Sequence, residues 1–184
     1  MPMEPLKERK DIRRKEILAA AFGCFNQYGY AKTTFDDVAR SAGVSRSLLY
    51  AYFKDKKDLF LSVAQDVLDE QRRQTEAVLK SDAGDERKFQ EVLELWAVDL
   101  YAKVSDSPHG GELLDEGLRA WEEIGVKYKE YLIRALSRFL DGTEVAELLV
   151  LSIKGIQGDR PSVPVLRKRI GLLAQLGWQR RRRP

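Results

Sequence analysis

Cysteine and histidine are nearly missing from this chain, with one of each in 184 residues. A lone Cys24 cannot close an intramolecular disulfide, and a lone His109, with no second histidine or cysteine at ligand spacing, argues against a metal site. Six prolines and thirteen glycines are too few for a fibrous or disordered chain. Long apolar runs are lacking too. The longest, Val145 to Ile153, is interrupted by Glu147 and Ser152 and falls far short of the roughly 20 residues that span a bilayer. No charged start, apolar stretch and small-residue cleavage site follow Met1, so a cytoplasmic location and no membrane contact are expected. No nucleophile stands beside a histidine, and there is no HExxH and no glycine-rich phosphate loop. The sequence therefore offers no catalytic residue and implies no cofactor.

What remains is a chain that is 43% hydrophobic and 33% charged, enough for one large domain or two small ones. Its net charge of +3 is unevenly spread. Residues 1–60 carry 12 Lys/Arg against 8 Asp/Glu, residues 61–159 carry 12 against 21, and residues 160–184 carry 8 against none. A basic head, an acidic middle and a basic tail suggest different partners, and the head is the natural candidate for a polyanion. The run Arg180 to Arg183 offers sequence-independent phosphate attraction or a solvated end.

Apolar residues recur with a period of 3.6, whereas strand-like alternation is nearly absent, so an all-α protein is expected. The first helix runs from about Lys10 to Tyr28 with Ile17, Leu18, Ala21, Phe22 and Phe25 inward and Gly29 as its stop. Two short helices precede a long one that Asp55 can cap and that fades near Ser81. A core-facing helix follows from Phe89 to Val104. A short helix is then expected from about Glu112, and a longer one from about Ala120 ending at Gly142. Helices at 143–157 and 165–179 complete the chain, with Gly158 to Pro164 between them. The division expected is residues 1–55, a three-helix domain, and residues 56–184, a larger helical domain.

Thr33 to Phe60 is the most specific stretch. Thr34 with Asp37 three residues later forms a capping box that opens a short helix. Gly43 supplies the left-handed conformation needed for a sharp turn, Val44 plugs the corner and Ser45 caps the next helix. Ala39, Gly43 and Leu49 have the spacing of a helix-turn-helix, in which the second helix enters the major groove. Here that helix covers 46–53 and turns Arg46, Ser47, Leu48, Tyr50 and Ala51 outward, with Lys54 just beyond. Arg46 can read guanine, Ser47 can donate or accept, Leu48 or Ala51 can meet a thymine methyl, and Tyr50 can bond a phosphate.

Thr33-Thr34, Asp37-Val38-Ala39, Ala42-Gly43-Val44-Ser45, Leu49-Tyr50 and Phe53 resemble the DNA-binding module of the TetR family of transcriptional regulators, as does Lys56, which stands where that family has a phosphate-contacting lysine. Leu48, Ala51-Tyr52 and Lys54-Asp55 depart from the family's commoner residues and bear on which operator is read. The resemblance implies a DNA-contacting set of Thr33, Thr34, Ser45, Arg46, Ser47, Leu48, Tyr50, Tyr52, Lys54 and Lys56. It further implies double-stranded operator DNA as partner, a small-molecule effector pocket beyond about Leu61, and pairing of the last two helices with those of a second subunit. The nearly all-round apolar helix Val145 to Ile156 points independently to a homodimer, since it must be covered on more than one face.

Pocket candidates are Trp96, Leu100, Tyr101, Trp121, Ile124, Tyr128 and Tyr131, because Trp and Tyr combine apolar area with one polar handle. Glu94 and Asp99 beside this face would favour a cationic or neutral effector. The resulting expectation is a homodimeric, effector-responsive repressor on a palindromic operator. The alternative is a sequence-tolerant or architectural DNA-binding protein without an effector.

Overall fold

The computed structural model describes residues 6–179, and every regular element among the described residues is helical. α1 (Leu6–Lys32) is interrupted at Gly29, where φ 80° and ψ 164° leave the helix region. The expected stop is thus a kink. A side chain there would collide with the Glu112 carboxylate and come 3.1 Å from the His109 ring. α2 (Phe35–Ser41), α3 (Arg46–Tyr52) and α4 (Lys56–Lys80) follow. The expected boundaries hold here because local side chains set them: Asp55 accepts from the Asp58 amide at 2.8 Å to open α4.

Beyond α4 come α5 (Asp85–Glu94), a π-helical turn (Leu95–Asp99) and α6 (Leu100–Ser105), so the helix expected from 89 to 104 carries a widened turn in its middle. α7 (Gly110–Ile124) and α8 (Val126–Ser137) meet at Gly125, not near Ala120 as the periodicity suggested. At Gly125 the chain bends so tightly over Trp121 that a Cβ would lie 2.6 Å from the indole ring. The apolar spacing of Trp121, Ile124 and Tyr128 runs straight through this bend and conceals it. α9 (Thr143–Gln157) has the expected bounds, whereas α10 (Val163–Gln179) begins earlier than expected and holds Pro164 in its first turn. Proline is tolerated there because the first turn's amides have no intrahelical acceptor. Arg180 to Arg183 lie outside the described residues. Among the described residues no helix is long and apolar enough to cross a membrane.

Two cores form. In the head, Ile17, Leu18, Phe25, Val38, Leu49 and Phe53 pack with Leu59 and Val63 of α4 and Leu113 of α7. In the body, Phe89, Val92, Leu93, Trp96, Tyr128, Leu136, Leu149 and Leu166 pack with Leu68 of α4. Each large apolar side chain so buried contributes about 1.5–3 kcal/mol. Because α4 serves both cores, residue 55 marks a change of helix, and packing continues across it. Polar contacts trace the same seam. The Ala31 amide donates to Glu112 Oε1 at 2.6 Å, and Lys57 pairs with Glu123 at 2.6 Å.

Candidate nucleic-acid interface

The presentation of α3 follows from local chemistry. The Asp37 amide donates to Thr34 Oγ1 at 3.2 Å while the Thr34 amide donates to Asp37 Oδ2 at 3.0 Å, which completes the capping box. The Thr34 hydroxyl also donates to Asp37 Oδ2 at 2.6 Å, and this bond first, with the Thr34 amide's bond second, holds the Asp37 carboxyl below its ordinary range. Gly43 has φ 62° and open space around its missing Cβ, so glycine is required there for backbone reasons alone. Ser45 Oγ then accepts from the Leu48 amide at 3.1 Å. Leu49 and Phe53 turn into the head core, which leaves the opposite face of α3 to solvent. Seven residues of helix are about 10 Å long, and the B-DNA major groove is about 12 Å wide.

On that face Ser45, Arg46, Ser47, Leu48 and Tyr50 are exposed. The Arg46 guanidinium pairs with Asp36 at 3.2 Å and lies 5.6 Å from the centre of the Tyr50 ring. Tyr50 in turn stacks on Phe35 at 4.6 Å. Arg46 and Tyr50 are therefore braced by two α2 residues, Asp36 and Phe35, that the sequence pattern did not single out. Their places in the first turn of α2, one step after the cap, were the available signal. Ser47 Oγ lies 3.0 Å from Ser45 Oγ. Thr34 and Lys54 are exposed beside this face. Tyr52 is half-buried, its ring 6.2 Å from Phe53. Lys56 donates from Nζ to the Ala31 carbonyl at 2.9 Å and sits 4.9 Å from the Tyr30 ring centre.

Thr33 requires a correction. It is buried, and its hydroxyl donates to the Gly29 carbonyl at 2.6 Å, so its side chain braces the kinked end of α1 and does not face a DNA partner. Of the paired threonines only Thr34 occupies the cap, and a sequence pattern cannot separate the two.

The pocket candidates divide as well. Trp96 lies 6.5 Å from Tyr128 and 6.3 Å from Tyr131, ring centre to ring centre. Leu100, Trp121 and Ile124 pack half-buried on the body core. Four of the polar handles expected to serve a ligand are engaged within the protein. Trp96 Nε1 donates to Thr75 Oγ1 at 2.8 Å, Tyr128 donates to Asp69 at 2.8 Å, and Tyr101 donates to the Pro161 carbonyl at 2.8 Å. Tyr131 reaches the Arg72 carbonyl at 3.4 Å. Burial, reinforced at Tyr128 by the bond to Asp69, pushes the tyrosine hydroxyls of 101, 128 and 131 above their ordinary range. Glu94 and Asp99, expected to bias the effector's charge, face Arg167 instead.

One side chain here is unmatched. Gln71 is completely buried, and neither its Oε1 nor its Nε2 has a hydrogen-bond partner among the described residues. Each such unmet group costs about 1–3 kcal/mol. The sequence carried a signal for it, because Leu68, Gln71, Thr75 and Val78 follow core spacing along α4 with two polar residues in the stripe.

The sequence model for bacterial regulatory proteins of the tetR family matches residues 17–63, the part that forms the head. An uncharacterized HTH-type transcriptional regulator of Bacillus subtilis (strain 168), YhgD, is 37% identical over 68 residues, which are 37% of this chain and 36% of that protein. The HTH-type transcriptional regulator BetI of Agrobacterium fabrum is 34% identical over 91 residues, 50% of this chain and 41% of that protein. The chain thus spans well under half the length of these curated relatives. The fold is shared over far more. The crystal structure of a TetR transcription regulator from Haloarcula marismortui superposes with a TM-score of 0.69 at 17% identity, covering 92% of this chain and 96% of that one. In sequence the head, residues 17–63, is similar to the DNA-binding module of bacterial regulatory proteins of the tetR family, and the described architecture as a whole shares the fold of a TetR transcription regulator.

Proposed function

We propose that the protein is a homodimeric, effector-responsive repressor whose α3 enters the major groove of each half of a palindromic operator. The observation that carries this is the division of α3, with Leu49 and Phe53 locked in the head core while Arg46, Ser47, Leu48 and Tyr50 stand outward on a capped, glycine-turned frame. Arg46 contacts a guanine edge, Ser47 and Leu48 meet neighbouring bases, and Tyr50, Thr34 and Lys54 hold phosphates. Lys56 keeps two further N–H donors for phosphate beyond the one it gives Ala31.

The dimer rests on the outer faces of α9 and α10. Leu148 and Leu151 are 64% and 58% exposed, and Leu172 and Leu176 are 53% and 63% exposed. Their partners on the inner faces, Ala146, Leu149, Leu166 and Ile170, are buried. Two helices apolar on both sides are satisfied by pairing with a second copy. Because α4 joins the two cores, a ligand that prefers one arrangement of the body also selects one spacing of the two heads, and shifts the population on or off DNA.

Selection of bound DNA from a random pool, followed by titration of Arg46→Ala, tests the reading. The substitution is expected to weaken operator binding by about 1–3 kcal/mol and to relax preference at one base pair. Unchanged affinity and preference would reject α3 as the reading helix, and equal binding to every sequence would favour an architectural role.

A further inference from the structure

We infer that the effector is a neutral, flat, mostly apolar molecule carrying a lactam or carboxamide edge, and that Gln71 is the group that recognises it. This rests on the effector reading above and specifies its chemistry.

Four observations converge. Gln71 is fully buried with both amide atoms unmatched. It lies one helical turn before Thr75, whose hydroxyl donates to the Gln71 carbonyl at 2.8 Å and accepts from Trp96, so the amide belongs to the same inward face of α4 as the aromatic cluster. Trp96 itself stands in the π-helical turn, a feature that widens a helix and recurs at functional sites. The tyrosines and the tryptophan around it have already engaged their polar atoms with the protein. Gln71 is therefore the side chain of this cluster left with an unmet donor and an unmet acceptor side by side.

The ligand chemistry follows from that pair. A carboxamide is matched on both atoms by a molecule presenting N–H next to C=O, with Nε2 donating to the ligand carbonyl and Oε1 accepting from the ligand N–H. A charged ligand would need a buried counter-charge, which Gln71 does not supply. The rings of Trp96, Tyr128 and Tyr131, bonded to α4 at Thr75, Asp69 and Arg72, favour a planar, apolar body. Because the amide is shut off from solvent, the cluster must part to admit the molecule, and satisfying Gln71 favours the parted arrangement over the packed one.

The test uses the full chain and two bicyclic probes of similar shape, 2-quinolone, which has the lactam edge, and quinoline, which lacks the N–H. Calorimetric titration up to millimolar concentration should show 2-quinolone binding at least about tenfold tighter, about 1.4 kcal/mol. Gln71→Met, an apolar near-isostere, should erase that preference and melt at a higher temperature than the parent without any ligand. Equal affinities, no binding of either probe, or a preference that survives Gln71→Met would overturn the inference. So would a Gln71→Met chain that melts lower or does not fold, since the amide would then be bonded within the protein. A selected operator fragment separates this from the regulator reading. A Gln71-dependent lactam preference with no influence on DNA binding supports the site and sinks the regulation. Release of DNA by compounds whose affinity ignores Gln71 sinks the site alone.

Discussion

In the head, α2, α3 and α4 each open on a side chain that reaches back into its own first turn, Thr34, Ser45 and Asp55. In the body, α5 through α9 open with no such bond. The two regions are thus specified by different physics. Head helices are bounded by contacts three residues apart, so their limits are written in short motifs. Body helices are bounded by what they pack against, such as Phe89 on Phe139 and Trp178 across the core. Many apolar combinations can satisfy that kind of packing, which fits a family model confined to residues 17–63 beside a likeness in fold that covers 92% of the chain.

The largest test of this contrast is Leu113→Ala. Leu113 belongs to α7 yet lies 5% exposed in the head core. Its truncation should cost about 2–5 kcal/mol and lower hydrogen-exchange protection in α1 and α4 along with α7. If only α7 loses protection, the head is packed independently. Next is Gly43→Val, which places a β-branched residue at φ 62° and should cost about 1–3 kcal/mol. Circular dichroism and operator titration should show the loss, with Gly43→Asn recovering much of it because Asn tolerates that conformation. Smaller again is a paired comparison of thermal melts. Thr34→Ala removes a cap and should cost about 1 kcal/mol, whereas Thr143→Ala, at the uncapped start of α9, should stay within about 0.5 kcal/mol. Equal effects would erase the distinction between the regions.

The last effect emerges only at high pH. Tyr128 has its hydroxyl pushed above the ordinary value of 10.0 by burial first and by its bond to Asp69 second. A group raised on folding contributes stability below its unfolded pKa and loses that contribution as pH climbs toward the folded one. The parent should therefore weaken as pH rises above 10, and Tyr128→Phe should be less stable at neutral pH but fall less steeply in the alkaline range. Parallel alkaline limbs in urea melts would show that Tyr128 carries none of this dependence.

Legibility in the sequence followed the same divide. Thr34, Gly43, Ser45, Leu49 and Asp55 could be assigned because each acts on neighbours within a few residues. The π-helical turn at Leu95–Asp99 and the bend at Gly125 escaped because apolar spacing is almost unchanged across them. Thr33 and Thr34 look alike until the kink at Gly29 decides which one turns inward. Gln71 was hidden for the opposite reason. Periodicity marks a position as inward but says nothing about whether a polar side chain placed there finds a partner, which depends on residues far away in the chain.

α4 runs for 25 residues without a break, a stiff beam of about 37 Å. Leu59 grips one end and Gln71 lies about 18 Å farther along. Over that length a rotation of about 3° about one of these points displaces the other by about 1 Å, by leverage alone and without unfolding a single turn. Insertion of a flexible glycine pair between these two points would disconnect the load from the handle while leaving both ends folded.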